Sequence, residues 1–262
     1  RLNEKQTQNL LSKNWDGAGI QINHINSLDI LRSDVEWKSG HLAGFDASLE
    51  NVQLPFQLWQ QQQATFSLQA EGVTIDDDLF VDPSIQLNLQ PEQILIEDFY
   101  TQWRQGSIQM NGTVTPSSVE LAQLDVQGIK WITESQDENL PATRLIPWLT
   151  QLQQASIHRL NIERSQLIQL AKKPYWQVSG LHVEGHQVQL LQDRKLGLWQ
   201  GKLMASANDA SYQNILSAQP VVEMNSEQGK WTLTRLFAPL KNGYIEANAT
   251  LDFNQISKPW SI

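Results

Sequence analysis

Polar and apolar positions alternate with period two over long stretches of this chain. In "SIQMNGTV" Ile108, Met110 and Val114 fall on one side with Gly112, and Ser107, Gln109, Asn111 and Thr113 fall on the other. In "YIEANATLDF" Ile245, Ala247, Ala249, Leu251 and Phe253 stand against Tyr244, Glu246, Asn248, Thr250 and Asp252. Successive side chains of a strand point to opposite faces, so the pattern predicts strands with one wet and one dry face. Ile85, Leu87 and Leu89, then Ile94 and Ile96, Val119 and Leu121, and Trp231 and Leu233 read the same way. Turn formers in "DDD", "QPEQ", "TPSS", "SEQGK" and "KNG" break the runs at short intervals, which predicts an antiparallel meander.

The alternating stretches come as a pair. "YTQWRQGSIQMNGTV" ends at Val114 and "FAPLKNGYIEANATL" ends at Leu251, 137 residues later. The same offset matches Pro83 with Pro220, Ile85 with Val222, Leu87 with Met224, Ile96 with Leu233, Gly106 with Gly243 and Asn111 with Asn248. Upstream the offset drifts, as small insertions would cause: "LWQ" at 58–60 matches "LWQ" at 198–200, and Trp37 pairs with Trp176. Helical spacing predicts a short helix at 3–15, where Leu11 and Trp15 lie four apart, and another from Pro147, with Trp148, Leu149 and Leu152 on one side. The acidic, aperiodic Thr133–Thr143 reads as a linker. The expected fold is mainly β with a few short helices. Two tandem repeats of antiparallel meander, 1–140 and 141–262, form a curved, twisted sheet or a half-open sandwich with an apolar inner face.

Composition narrows the function. Apolar residues make up 40% and charged residues 18%, the latter well under the roughly 25% of ordinary domains. A net charge of −9 offers no basic stripe for nucleic acid and disfavours anionic membrane surfaces. The absence of cysteine excludes disulfides, thiolate zinc sites and a cysteine nucleophile. No run approaches the roughly 18 apolar residues of a spanning helix.

Candidate chemistry is sparse. His182, Glu184 and His186 share one strand face, with Gly185 read as a bulge; a polar strand face is the simpler account than a metal site. His24, His41 and His158 have no ligand-like spacing. Asp76, Asp77 and Asp78 lack the spaced ligands and glycine of a calcium loop and read as a solvated turn. "NGT" at Asn111 and "NAT" at Asn248 meet the glycosylation rule, but at matching strand positions they read as a polar hydrogen-bonding ladder. Ten tryptophans recur partly at repeat spacing and read as core packing, with sugar stacking as the lesser option. No nucleophile elbow, phosphate-binding loop or dinucleotide fingerprint is present, so no catalytic residue, metal or cofactor is assigned.

"WQVSGLHVEGHQVQLLQDRKLGLWQGKLMASANDASYQN" with "GKWTLTRLFAPLKNGYIEANATLDF", and before them "LWQQQQATFSLQAEGV" to "WRQGSIQMNGTV", resemble the AsmA family of Gram-negative envelope proteins, in its YicH-like branch. The resemblance spans nearly the whole chain and rests on diffuse patterning. It implies a β-rich periplasmic protein, anchored in the inner membrane by an amino-terminal helix outside this chain and related to carriers whose curled sheet holds lipid in an apolar groove. It implies no catalytic residues.

A sixteen-carbon tail leaving a bilayer gives up on the order of 13 kcal/mol, which only a long apolar face returns. Ile85, Leu87, Ile108, Met110, Val222, Met224, Ile245, Ala247, Ala249 and Leu251 are the candidates for lining it. The expected function is outer-membrane biogenesis and lipid homeostasis, by holding or guiding phospholipid acyl chains. The alternative partners are outer-membrane or envelope proteins, captured by a scaffold through an open strand edge. A carbohydrate-binding module would instead show a row of exposed tryptophans.

Overall fold

The computed structural model describes residues 22–76, 78–133, 141–254 and 260–261. The helix expected at 3–15 lies outside them. The described residues form eighteen strands, one helix and one 3-10 turn, so the chain is mainly β. They divide into two compact units: one holds the chain up to Arg104 with Ile108–Pro116, the other Gln105–Ser107 and the chain from Ser117 onward.

The first unit contains β1 (His24–Trp37), β2 (Gly40–Gln53), β3 (Ala64–Gln69), β4 (Gly72–Ile75), β5 (Asp78–Gln90), β6 (Gln93–Trp103) and most of β7 (Gly106–Val114). β3 and β4 both lie between β2 and β5 and act as one strand broken at Ala70 and Glu71. β1 through β6 form an antiparallel meander, as the alternation predicts.

The second unit contains β8 (Ser118–Gln127), β9 (Lys130–Ile132), α1 (Pro141–Leu149), β10 (Gln154–Gln169), β11 (Trp176–Gln192), β12 (Lys195–Ser206), β13 (Asp209–Tyr212), β14 (Ile215–Ala218), β15 (Val221–Glu227), β16 (Lys230–Leu240), β17 (Gly243–Asp252) and β18 (Trp260–Ser261). From β10 onward it is again an antiparallel meander, with β12 and β13 collinear beside β11. One connection departs from the expected pattern. β8 and β9 run parallel to β10, because the chain returns through a crossover that includes α1. Both strands precede the boundary expected near residue 140, yet they lie in the second unit.

α1 also differs from the helix expected to begin at Pro147. It runs Pro141–Leu149 with Pro147 inside it, and stops two residues later. The ring removes one i to i−4 hydrogen bond, and Leu149 and Leu152 instead turn into a small core with Ala155, Leu191 and Val119.

The two units carry register slips at matching places. Pairing of β5 with β6 slips one residue between Gln86 and Leu87, and pairing of β15 with β16 slips between Glu223 and Met224, 137 residues on. Left-handed backbone recurs at Arg32 and Arg164, Gly44 and Gly180, Asn51 and Gln187, and at Asp82 and Gln219, each preceding a proline. The strand breaks match too: Glu71 N–H donates to Ala43 O and Asp82 N–H to Glu71 O, as Asn208 N–H donates to Ser179 O and Gln219 N–H to Asn208 O. In the first unit carboxylates hold this seam, Asp46 accepting from Arg32 N–H at 2.7 Å and Asp34 from Gly44 N–H at 2.9 Å. Bulges of this kind increase local twist and curve a sheet.

Candidate functional site

Residues opposite one another in adjacent strands share a face, so the ladders trace rows across each sheet. In the first unit one row runs Leu28, Leu49, Phe66, Leu87, Ile96, and the next Ile30, Ala47, Leu68, Ile85, Phe99. In the second unit the corresponding rows cross seven strands. One runs Leu124, Leu160, Gly185, Leu203, Met224, Leu233, Ala249, and the other Val126, Ile162, Val183, Ala205, Val222, Leu236, Ala247. Seven strands span about 29 Å at the usual strand spacing. Apart from Gly185, every position in these rows is apolar.

The rows are largely half-buried. Ile96 and Gly185 are buried, Leu28 and Ile30 are exposed at 41% and 36%, and the rest are intermediate. Two facing sheets would seal such positions. The gap at Gly185 is occupied by its neighbours: an added Cβ would lie 2.9 Å from Val188 and 3.0 Å from Leu160 and Leu203.

Of the ten residues proposed from sequence, Ile85, Leu87, Val222, Met224, Ala247 and Ala249 lie in these rows. Leu251 opposes Trp231, and Ile245 opposes Ala238 on the same strand face but is 46% exposed. Gln109 Nε2 donates to Asp98 Oδ1 on the polar face, which leaves the half-buried Ile108 and Met110 on the other. Alternation alone missed Leu28, Leu49, Phe66, Leu160 and Leu203; register shifts interrupt the period on β1, β10 and β11.

A family model described as the AsmA family matches residues 2–262. The chain belongs to the AsmA family. Among curated proteins, the AsmA family protein YicH of Escherichia coli (strain K12) is 22% identical over 234 residues, covering 88% of this chain and 40% of that protein. The chain therefore spans less than half the length of this relative. No solved structure matches it.

The polar faces of this AsmA-family chain carry the remaining candidates. A shallow hollow of about 400 Å³ in the first unit is lined mainly by polar residues, Asp29, Asp46, Ser48, Ser67, Gln69, Ser84, Gln86 and Asp98, together with Leu31, Ala47, Leu68 and Ile85. His182, Glu184 and His186 do share the polar face of β11, and His182 Nε2 lies 3.0 Å from Glu184 Oε1. Among the described residues no group of three or more metal-ligating side chains converges. Gly185 is not the bulge there; the left-handed residue is Gln187. The ladder expected of Asn111 does not engage its Oδ1, which is buried and lacks a hydrogen-bond partner.

The tryptophans divide. Trp103, Trp131 and Trp199 are buried, whereas Trp148 is 48% exposed and Trp59 half-buried. Trp59 and Trp199 sit in different local structure, a 3-10 turn and a strand, yet each backbone carbonyl accepts from the residue at the following hairpin turn, Glu92 or Gly229. Trp37 and Trp176 do not correspond. The position matching Trp176, opposite Tyr212, is Gly40, opposite Ile75. Among the described residues no helix is long and apolar enough to cross a membrane.

Proposed function

We propose that this chain is a periplasmic part of an envelope protein, anchored in the inner membrane by a segment outside it, that serves outer-membrane biogenesis and lipid homeostasis by holding phospholipid acyl chains along its apolar faces. The observation that carries this reading is the set of uninterrupted apolar rows left half-buried. The rows of the second unit, about 29 Å across, exceed the roughly 15 Å depth of one leaflet's hydrocarbon. Small residues such as Ala205, Ala247 and Ala249 leave relief along the face for a flexible tail. Membership in the AsmA family supports the envelope setting.

The test is a photoactivatable phospholipid added to the purified chain. Crosslinks on β12, β15 and β17 at apolar-row positions, with acyl lipid recovered by extraction and mass spectrometry, are expected. Labelling confined to the polar faces, with no extracted lipid, would sink the proposal. One observation favours a second reading as a protein scaffold. β18 pairs only with Thr250 and Leu251, so among the described residues the rest of that edge of β17 has no strand partner. Envelope crosslinking from Glu246 or Asn248 to a protein, without lipid, would favour strand capture.

A further inference from the structure

One end of the second unit has a composition unlike the rest of the chain. Three neighbouring connections meet there: the loop from β10 to β11, the β13–β14 hairpin and the β16–β17 hairpin. Gln213 N–H donates to Tyr175 O across the first two, and Ser217 opposes Leu240 between the second and third. At their tips Tyr212 is 55% exposed, Ile215 57% and Tyr244 65%, with Leu170 and Tyr175 also exposed. Lys173 and Lys241 stand exposed in the same connections. No carboxylate occurs in 170–176, 211–217 or 239–245, although the chain carries a net charge of −9.

We propose that this end docks on an anionic phospholipid surface, with Tyr212, Ile215 and Tyr244 entering the interface and the two lysines at headgroup level. Tyrosine and aliphatic tips flanked by lysine suit a bilayer boundary, where the ring body is buried and its hydroxyl stays wet. Protein interfaces, by contrast, are depleted in lysine. Net charge does not forbid the contact: β11 alone extends about 55 Å, far beyond the screening length of roughly 8 Å in physiological salt. Asp209 and Glu246 flank these connections on β13 and β17. Glu134, Asp137 and Glu138, which follow Thr133 in the sequence, lie outside the described residues. The matching end of the first unit is mixed in charge, with Asp76 and Asp78 beside the exposed Ile75 and Leu79 and with Lys38 and Arg104 in the neighbouring hairpins.

Flotation of the purified chain with phosphatidylcholine vesicles, with and without phosphatidylglycerol, tests this independently of acyl-chain holding, because it reads surface attachment. Binding is expected to both and stronger to the anionic vesicles. Tyr212→Ser with Ile215→Ser should lower the partition coefficient about 30-fold. Lys173→Gln with Lys241→Gln should lower it about 30-fold at low salt and little at high salt. Leu79→Ser in the first unit should leave it unchanged. Because the chain has no cysteine, Asn214→Cys carries a single environment-sensitive dye, which should shift to the blue on anionic vesicles; circular dichroism establishes that the variants fold. Absence of flotation, equal loss with Leu79→Ser, or self-association of the free chain that the tip variants abolish without vesicle binding would each overturn the proposal.

Discussion

In the first unit the third apolar row runs Val35, Leu42, Val73, Phe80, Trp103; in the second, the same positions are Leu167, Val178, Ala210, Ser217, Leu240. Phe80 stacks on Trp103 with centroids 5.9 Å apart, the indole N–H donates to Asp78, and Arg104 lies over the ring and donates to the same carboxylate. The second unit has Ile215 where the first has Asp78, and Lys241 where it has Arg104. Register and several bulges recur, and both ends carry aromatic stacks, Phe80 on Trp103 in the first and Trp131 on Trp176 in the second, but only the first adds the Asp78–Arg104 pair to its stack. Backbone geometry here depends on turns and bulges, and the side chains above it are free to differ.

The sharpest way to break this comparison is Trp103→Ala. Trp103 is buried and holds the stack, so its loss should cost about 3–5 kcal/mol. Leu240→Ala, at a half-buried matching site, should cost about 2 kcal/mol or less. Urea unfolding of both variants measures the difference. Equal costs would mean the stack contributes nothing beyond the row.

The twin glycines of the repeated stretch should also separate. A Cβ at Gly106 would lie 2.2 Å from Gln127 O and 2.5 Å from Ile129 N, both backbone, whereas at Gly243 nothing lies within 4 Å. Gly106→Ala should therefore cost about 3 kcal/mol, the upper range for overpacking. Gly243→Ala, with φ at 142°, should cost only about 1 kcal/mol of backbone strain. Thermal melts that rank them the other way would refute the close approach at Gly106.

That contrast shows what the sequence made legible. Period-two alternation identified strands where no bulge intervened, as in β7 and β17. Where Asn51 or Gln187 takes left-handed backbone the alternation slips, and the rows through Leu49 and Gly185 became visible only through pairing. Glutamine and arginine carry no strong signal for that conformation, unlike glycine at 44 and 180. Shared letters were a mixed guide. "LWQ" marks one backbone role in two local structures, while Trp37 and Trp176 are like residues at unlike positions. The parallel crossover escaped notice because parallel and antiparallel strands alternate alike.

A smaller effect separates the cations. Arg104 donates to Asp78 Oδ1 at 2.9 Å with both side chains largely buried, so Arg104→Ala should cost about 1–2 kcal/mol. Lys241→Ala, exposed at the matching tip, should change stability by no more than about 0.5 kcal/mol. A double-mutant cycle with Asp78→Ala apportions the first value; no coupling would leave the cluster as packing alone.

The smallest expected effect has the opposite sign. Ser217 occupies the place of Phe80, is 7% exposed, and its buried Oγ has no hydrogen-bond partner. Ser226, on the adjoining strand β15, is equally buried at 6% but donates to Trp199 O at 3.1 Å. A buried hydroxyl costs free energy unless it is bonded, so Ser217→Ala should stabilise the second unit by about 1 kcal/mol, while Ser226→Ala should destabilise it by a similar amount. Equilibrium unfolding of the two alanine variants side by side decides between them. If both lose stability, Ser217 has found an acceptor, and its place in the row is as well satisfied as that of Ser226.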